Sequence, residues 1–310
     1  MRQSRNWGMA SWLICLAVVV VGVAVVQVIG AGAQTVADLN RQIAEENLSW
    51  TAGETSLSQL RPEERQARLG GLPTPEENIR PEQIWEPEEL DGVEGLPVDY
   101  DLRSLNRITP VKDQGNCGSC WAFAAVANLE SLARKKNKDL ILSEQNVLDC
   151  SAGTCAGWYL DTTFNFLKSY GTCLQSFYPY TAVKGSCQTF PMAAKLKSWK
   201  WINPYGTPTD AYNTKIKKFI YKKKQPVSCR MEVYTSFFDY ESGVYQHLPC
   251  DTMEGGHFVL IIGWGKTLEG VEYWICKNSW GTGWGQDGYF WIKMNDSKIG
   301  TYTIGAKLKK

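Results

Sequence analysis

Histidine is almost missing from this chain: 310 residues hold two, His247 and His257. With no spaced histidine pair and no second Cys-x-x-Cys beside Cys117 to Cys120, the ligands of a metal site are lacking. No thioredoxin-like βαβ pattern flanks that pair, so the redox reading is set aside too. Charge of one sign is also scarce. With 21% charged residues and a net charge of +1, the totals give no sign of nucleic-acid binding. There is no internal repeat. Cysteine is absent from residues 34–116, although the chain has ten in all.

What is present is unevenly placed. Residues 34–95 hold 14 acids against 5 bases, and residues 96–310 carry a net +8. An acidic front segment joined to a basic body is expected to dock on it, the alternative being a solvated linker. At the start, Arg2 and Arg5 precede an apolar run from Trp12 to Ile29, followed by Ala31-Gly32-Ala33. This is the pattern of an export signal over residues 1–33, with a retained membrane anchor as its rival. Either reading takes the rest of the chain into the secretory route, to an extracellular or lysosome- or vacuole-like compartment. Nine cysteines fall in the body, an odd number, so disulfides plus at least one free thiol are expected.

Val36 to Leu48 has the spacing of a short amphipathic helix, with Val36, Leu39, Ile43 and Leu48 on one side. Beyond Leu69 the segment turns to Pro, Gly and Glu, the composition of an extended, protease-accessible connector with little to bury. A body starts near Leu96-Pro97. Within it, Cys120 to Lys135 carries a helical pattern at Phe123, Val126, Leu129, Leu132 and Ala133, and Ser143 caps a second helix. From Pro226 the texture becomes strand-like at Val227 to Tyr234, Phe258 to Trp264, Val271 to Lys277 and Gly288 to Lys293. The lysine run from Lys215 to Lys224 reads as a solvated helix face, or else an anion site.

Chemistry concentrates in Gln114-Gly115-Asn116-Cys117-Gly118-Ser119-Cys120-Trp121. A cysteine that opens a helix sits where unpaired N–H groups and the helix dipole favour a thiolate. It attacks a carbonyl usefully only if a nearby group takes its proton and later delivers it to the leaving amine. Of the two histidines, His257 lies at the mouth of a strand and His247 in a polar turn.

In these residues the body resembles the papain-like cysteine peptidases, with their Cys-Gly-Ser-Cys-Trp signature and downstream His and Asn. His257 follows Cys120 by 137 residues, and Asn278 follows His257 by 21. Leu96-Pro97, Asp101-Leu102-Arg103, Ser143-Glu144-Gln145 and Gly281-Thr282-Gly283-Trp284-Gly285 agree, so the likeness covers residues 96–310. It implies an α+β fold of two lobes, a helical N-terminal lobe and a β-barrel-like C-terminal lobe, with the cleft between them. It also implies that Cys120 attacks the scissile carbonyl and that His257 pairs with it. Asn278 would orient His257 under the shield of Trp280, and Gln114 would donate to the oxyanion. Disulfides Cys117–Cys155 and Cys150–Cys187 follow from the resemblance; Cys173, Cys229, Cys250 and Cys276 stay unassigned.

The implied activity is endopeptidase hydrolysis through an acyl-thioester on Cys120, without metal or cofactor. The protein would be a monomer whose partners are peptide substrates and its own inhibitory pro-segment, residues 34–95. The short front segment, with Glu46-Asn47-Leu48-Ser49-Trp50-Thr51-Ala52-Gly53, is similar to the cathepsin B branch, as are Gly243 to His247 and Met253 to His257. The paired-histidine occluding loop of that branch has no counterpart. Gly118, Gly157, Trp158, Arg230, Phe258, Trp280 and Tyr302 are expected to line the cleft. Trp158 replaces a family glycine and should redirect or narrow it. Arg230 and Phe258 stand where small apolar residues are usual and should crowd and charge the S2 pocket, with Tyr302 near its floor. A non-catalytic adhesive relative and a peptide-ligating acyl transferase are the competing readings.

Overall fold

The segment ahead of Leu96 folds onto the body rather than hanging from it. In the computed structural model, which describes residues 34–86, 90, 92–93 and 95–309, it begins with helix α1 (Val36–Glu45). Leu39 and Ile43, four apart and so on one helical face, are both buried. Asn40 ties α1 to strand β1 (Trp50–Ala52): its amide donates to the Ala52 carbonyl at 2.8 Å and its Oδ1 accepts the Ala52 N–H at 2.9 Å. Helix α2 (Pro62–Gln66) and strand β2 (Gly71–Leu72) follow. The expected export signal, residues 1–33, lies outside the described residues. Among those described, no helix is long and apolar enough to cross a membrane.

The body opens with strand β3 (Tyr100–Asp101) and then helix α3 (Cys120–Arg134). The sequence pattern marks one apolar stripe on α3, yet thirteen of its fifteen residues are buried, which makes it the central helix rather than a surface one. Its polar positions are satisfied inside: buried Glu130 accepts from Lys112 Nζ and from the Leu142 N–H, both at 2.8 Å. Helix α4 (Glu144–Cys150) starts at Ser143, whose hydroxyl accepts the Asn146 N–H at 3.0 Å, as the capping pattern predicts. Strand β4 (Trp158–Tyr159) leads into helix α5 (Leu160–Ser169). Trp121, Val126 and Leu129 of α3 pack with Val147, Leu148, Leu160 and Phe164 in one hydrophobic core.

The second half holds strands β5 (Leu196–Asn203), β6 (Val227–Tyr234), β7 (Tyr240–Tyr245), β8 (Met253–Lys266), β9 (Glu272–Lys277), β10 (Tyr289–Lys293) and β11 (Thr301–Leu308). Helix α6 (Asp210–Lys223) lies between β5 and β6 and buries Ile216, Phe219 and Ile220. Strand order is β1-β7-β10-β9-β8-β6-β11-β5, with β3 added on β8. All pairs are antiparallel except β7 with β10. A second core, around Val233, Phe237, Ile262, Trp274 and Phe290, belongs to this sheet. The mixed α+β class and the division into helical and β halves hold, with β8 longer at both ends than its apolar run suggests.

Two expectations for the front segment change. The Pro-rich stretch was expected to have little to bury, but Trp85 is 2% exposed and its N–H donates to the Trp201 carbonyl at 2.8 Å. A single tryptophan buries enough apolar area to pin an otherwise polar connector. Docking itself is as expected, yet the ion pairs Arg65–Asp239 and Arg68–Asp113, at 3.5 and 2.8 Å, run against the net charges. Here segment arginines meet body aspartates, because pairing depends on local geometry rather than on summed charge.

Candidate active site

Cys120 begins α3, and the loop before it is fastened by the Cys117–Cys155 disulfide. Cys150–Cys187 forms as well, whereas Cys173, Cys229 and Cys276 are buried free thiols and Cys250 is exposed. Burial pushes the Cys120 thiol up to about 11, and the nearby backbone of Phe258, Gly70 and Trp121 offsets this only in part. The fully buried His257 is placed by β8, opposite Met231 of β6. Its Nε2 meets Asn278 Oδ1 at 2.8 Å. That oxygen also accepts the Ser279 N–H at 2.8 Å, so the ring is assigned its proton on Nε2, leaving Nδ1 as the basic nitrogen. Among the described residues Nδ1 has no hydrogen-bond partner. Trp280, itself buried, lies over the ring with centroids 4.8 Å apart. Burial lowers His257 to about 4. With the segment in place the neutral forms of both groups are favoured.

Gln114 is held at four atoms, its carbonyl accepting from the Tyr180 hydroxyl at 2.8 Å. Its N–H donates to the Ser279 carbonyl at 2.9 Å, its Oε1 accepts from Ser279 Oγ at 2.6 Å, and its Nε2 donates to the Cys117 carbonyl at 2.8 Å. Nε2 also donates, at 2.9 Å, to the Arg68 carbonyl of the front segment. Ser279 thus fixes the amide's orientation, a role the motif around Asn278 contained but that reading residue types alone does not reveal.

The segment crosses this site as β2, pairing in parallel with β4: Gly71 opposite Trp158 and Leu72 opposite Tyr159. The Trp158 N–H donates to the Gly70 carbonyl at 3.0 Å. The front segment thus lies in the groove with its main chain against that of Trp158. Close approach is supplied from the other strand. A Cβ on Gly70 would lie 1.9 Å from the Gly118 carbonyl oxygen, and one on Gly71 would lie 2.7 Å from the His257 nitrogen. Gly118 and Gly157 complete the narrow passage: a Cβ on either would lie 2.8 Å from a segment carbonyl, that of Leu69 or Gly70 respectively.

Arg230 reaches the groove from β6 through the gap left by Gly256, where a Cβ would stand 2.5 Å from its Nη2. Its Nε donates to the Gly71 carbonyl at 2.9 Å. Glu232 lies 3.7 Å from Nη1 and is held in turn by Lys298 at 2.8 Å. Arg230 thus has an acidic partner in the protein and also grips main chain. Phe258 is 1% exposed and packs into the α3 core. Tyr302, in a left-handed conformation on β11, follows Thr301, which pairs with Arg230 across the ladder; its hydroxyl sits against Gly206. His247 is elsewhere, stacked on Tyr234 and bonded to Asp296 at 3.0 Å.

Residues 96–307 match the family described as Papain family cysteine protease. A cathepsin L-like proteinase from Fasciola hepatica is 36% identical over 205 residues, covering 64% of this chain and 61% of its own length. Ananain from Ananas comosus is 34% identical over 246 residues, covering 78% and 68%. The chain thus spans about six-tenths of the length of the first of these relatives and about two-thirds of the second. Among solved structures, digestive procathepsin L2 proteinase from Tenebrio molitor larval midgut superposes with TM-score 0.75 at 30% identity, covering 88% of each chain. A proCathepsin B from Trypanosoma congolense reaches TM-score 0.76 at 22% identity, covering 89% of this chain and 97% of that one, a likeness of fold alone. The curated names stand on the cathepsin L-like and bromelain side rather than that of cathepsin B. From the motif, the fold and these relatives together, the chain belongs to the papain family of cysteine proteases.

Proposed function

We propose that this protein is a cysteine endopeptidase made as a zymogen, with residues 34–95 as its inhibitory pro-segment and Cys120, His257, Asn278 and Gln114 as its catalytic residues. One observation carries the reading: the Gln114 amide, placed to hold an oxyanion, is occupied by the Arg68 carbonyl while Gly70 and Gly71 pass beside Cys120 and His257. The segment's direction explains why it survives. A substrate whose P2 residue sits against Trp158 and Arg230 has its N-terminal part there, whereas the pro-segment reaches those residues with Gly71 and Leu72, after Arg68 has met Gln114. It runs backwards, so no carbonyl is presented for attack.

Once the segment leaves, water returns to both groups, and the Cys120 proton passes to His257 Nδ1. The thiolate attacks the substrate carbonyl, forming the C–S bond. The oxyanion is held by Gln114 Nε2 and the Cys120 N–H. Collapse breaks the C–N bond, His257 gives its proton to the departing amine, and water then hydrolyses the acyl-thioester to free acid and thiol.

Within the family we place it in the cathepsin B-like branch without an occluding loop. The two stretches that suggest this, Glu46 to Gly53 and Gly243 to His247, meet in the structure, where Trp50 pairs with Gly243. His247 is committed to Asp296, so no second histidine is offered to a substrate's C-terminal carboxylate, and trimming of C-terminal dipeptides is not expected. The apolar N-terminal run supports entry into the secretory route. Comparing internally quenched peptides with substrates ending in a free dipeptide tests the assignment: internal cleavage alone supports it, and efficient dipeptide release overturns the endopeptidase reading.

A further inference from the structure

Trp85 sits in a slot that the catalytic reading does not use. Its ring meets Phe219 of α6 edge-on, with centroids 5.3 Å apart, and is 2% exposed. Three ammonium groups surround it: Lys200, Lys223 and Lys307 Nζ lie 5.7, 5.3 and 4.9 Å from the ring centroid. Ile84 bridges Trp201 in parallel, and the Trp85 N–H donates to the Trp201 carbonyl, so the segment adds to β5, the last strand in the sheet order. Among the described residues the buried indole N–H has no acceptor, and apolar contact and cation–π attraction hold the side chain. Around it the sequence is acidic: Glu82 and Glu86 flank Ile84-Trp85, and Glu88, Glu89 and Asp91 follow.

We propose that this slot is a second peptide-binding site, separate from the catalytic cleft, whose ligand is an extended acidic segment carrying one tryptophan. Each element of the ligand has a counterpart. A sheet edge gives main-chain pairing, as in strand-addition recognition. The apolar floor takes the indole, tryptophan being the aromatic ring most attractive to a cation. Lysines at the rim favour acidic flanks and disfavour basic ones. Loss of the pro-segment uncovers the edge and the floor beside the lysines, an apolar patch with a polar rim of the kind that marks interaction sites. Protein substrates with such a segment outside the scissile region would then be held at two places. That the slot opens at all rests on the zymogen reading; its ligand preference does not.

The test uses the full-length chain and no activity measurement, so failure of the zymogen reading leaves it interpretable. A fluorescein-labelled peptide with the sequence of residues 79–86 is titrated against the wild-type chain and against Trp85→Ala. The expected result is saturable binding to Trp85→Ala only. Replacing the peptide's tryptophan by alanine, or adding Lys200→Glu, Lys223→Glu and Lys307→Glu to the protein, should weaken it at least roughly tenfold. Circular dichroism checks folding. Should Trp85→Ala not fold, Trp85→Phe keeps a weaker ring in the slot, and the tryptophan peptide should displace it in competition. Equal binding to wild type and Trp85→Ala, indifference to the charge reversals, or no displacement from Trp85→Phe would overturn the proposal.

Discussion

The Gln114 side-chain amide donates to the Arg68 carbonyl at 2.9 Å, so the group that would stabilise a reaction intermediate is filled by the chain's own backbone. Arg68 is fixed on its far side by Asp113 at 2.8 Å, and Gln114 by Ser279. On the proposed function, inhibition and catalysis share the Gln114 amide nitrogen, and changes at this contact should separate the two.

Removing the donor should lower turnover of the activated enzyme. Gln114→Ala is expected to reduce kcat by roughly 10²–10³ with KM little changed, the usual cost of one oxyanion donor. Ser279→Ala leaves the amide in place but unoriented, and a smaller loss of roughly tenfold is expected. Cys120→Ser should abolish hydrolysis, and His257→Ala should leave a trace. Steady-state kinetics on purified variants decide this; wild-type hydrolysis by Cys120→Ser would end the mechanism.

Gly70 and Gly71 let the pro-segment lie against the catalytic backbone. Gly70→Ala brings a Cβ to 1.9 Å from the Gly118 carbonyl oxygen, with backbone on both sides and nothing flexible to yield. The segment should lift, giving measurable hydrolysis before any cleavage. Uncleaved Gly70→Ala protein as silent as wild type would show that this passage does not secure inhibition.

Acid should loosen the docked segment. Burial lowers His257 from the ordinary 6.5 to about 4, so in Cys120→Ser protein, where release forms no thiolate–imidazolium pair, the released form binds a proton between those values that the docked form refuses. In that protein docking keeps its full strength above pH 6.5 and loses it as pH falls toward 4, by up to about 3 kcal/mol at roughly 1.4 kcal/mol per unit. Asp161, raised by burial and bonded to Thr74 of the segment, acts in the opposite sense. In Cys120→Ser protein, cleavage of the segment by an added protease should quicken below pH 6, and much less so when His257→Ala is added. A pH-independent rate in the first protein would contradict the burial argument.

Arg230 should matter more to main-chain grip than to side-chain charge. Arg230→Ala loses a buried, charge-assisted bond to the Gly71 carbonyl and leaves Glu232 with Lys298 alone. Inhibition by the pro-segment is expected to weaken roughly tenfold or more. In a P2-varied library, wild type should disfavour Arg and Arg230→Ala should tolerate it better. A wild-type preference for Arg at P2, unchanged in the variant, would remove Arg230 from the cleft.

What the sequence makes legible is what lies close together along the chain. Cys120 at a helix start, Ser143 as a cap and β6 over Val227 to Tyr234 can each be read from a few neighbours, and their structures agree. His257, Asn278 and Gln114 were legible through motifs; His257 meets Asn278 directly, and Gln114 bonds to the neighbouring Ser279. Illegible were the relationships made across the fold. Trp85 looked like part of a polar connector because its slot is built by β5, α6 and β11, more than a hundred residues later. The pairing of Trp158 with Gly71 was hidden because that strand lies in the front segment, far away along the chain. The bond from Arg230 to the Gly71 carbonyl joins residues 159 apart in the chain, too far for a local reading to pair them.

The pH profile of Cys120 alkylation, compared before and after removal of residues 34–95, tests the central claim most directly. With the segment docked, burial holds the thiol near 11 and His257 near 4, so iodoacetamide should react slowly through neutral pH and faster only in strong alkali. After removal, reaction should be fast across neutral pH and persist well below the ordinary thiol range, as expected of a thiolate paired with an imidazolium. Identical profiles for the two forms, each rising only above the pKa of an ordinary thiol, would contradict both the ion pair and the role of the segment in suppressing it.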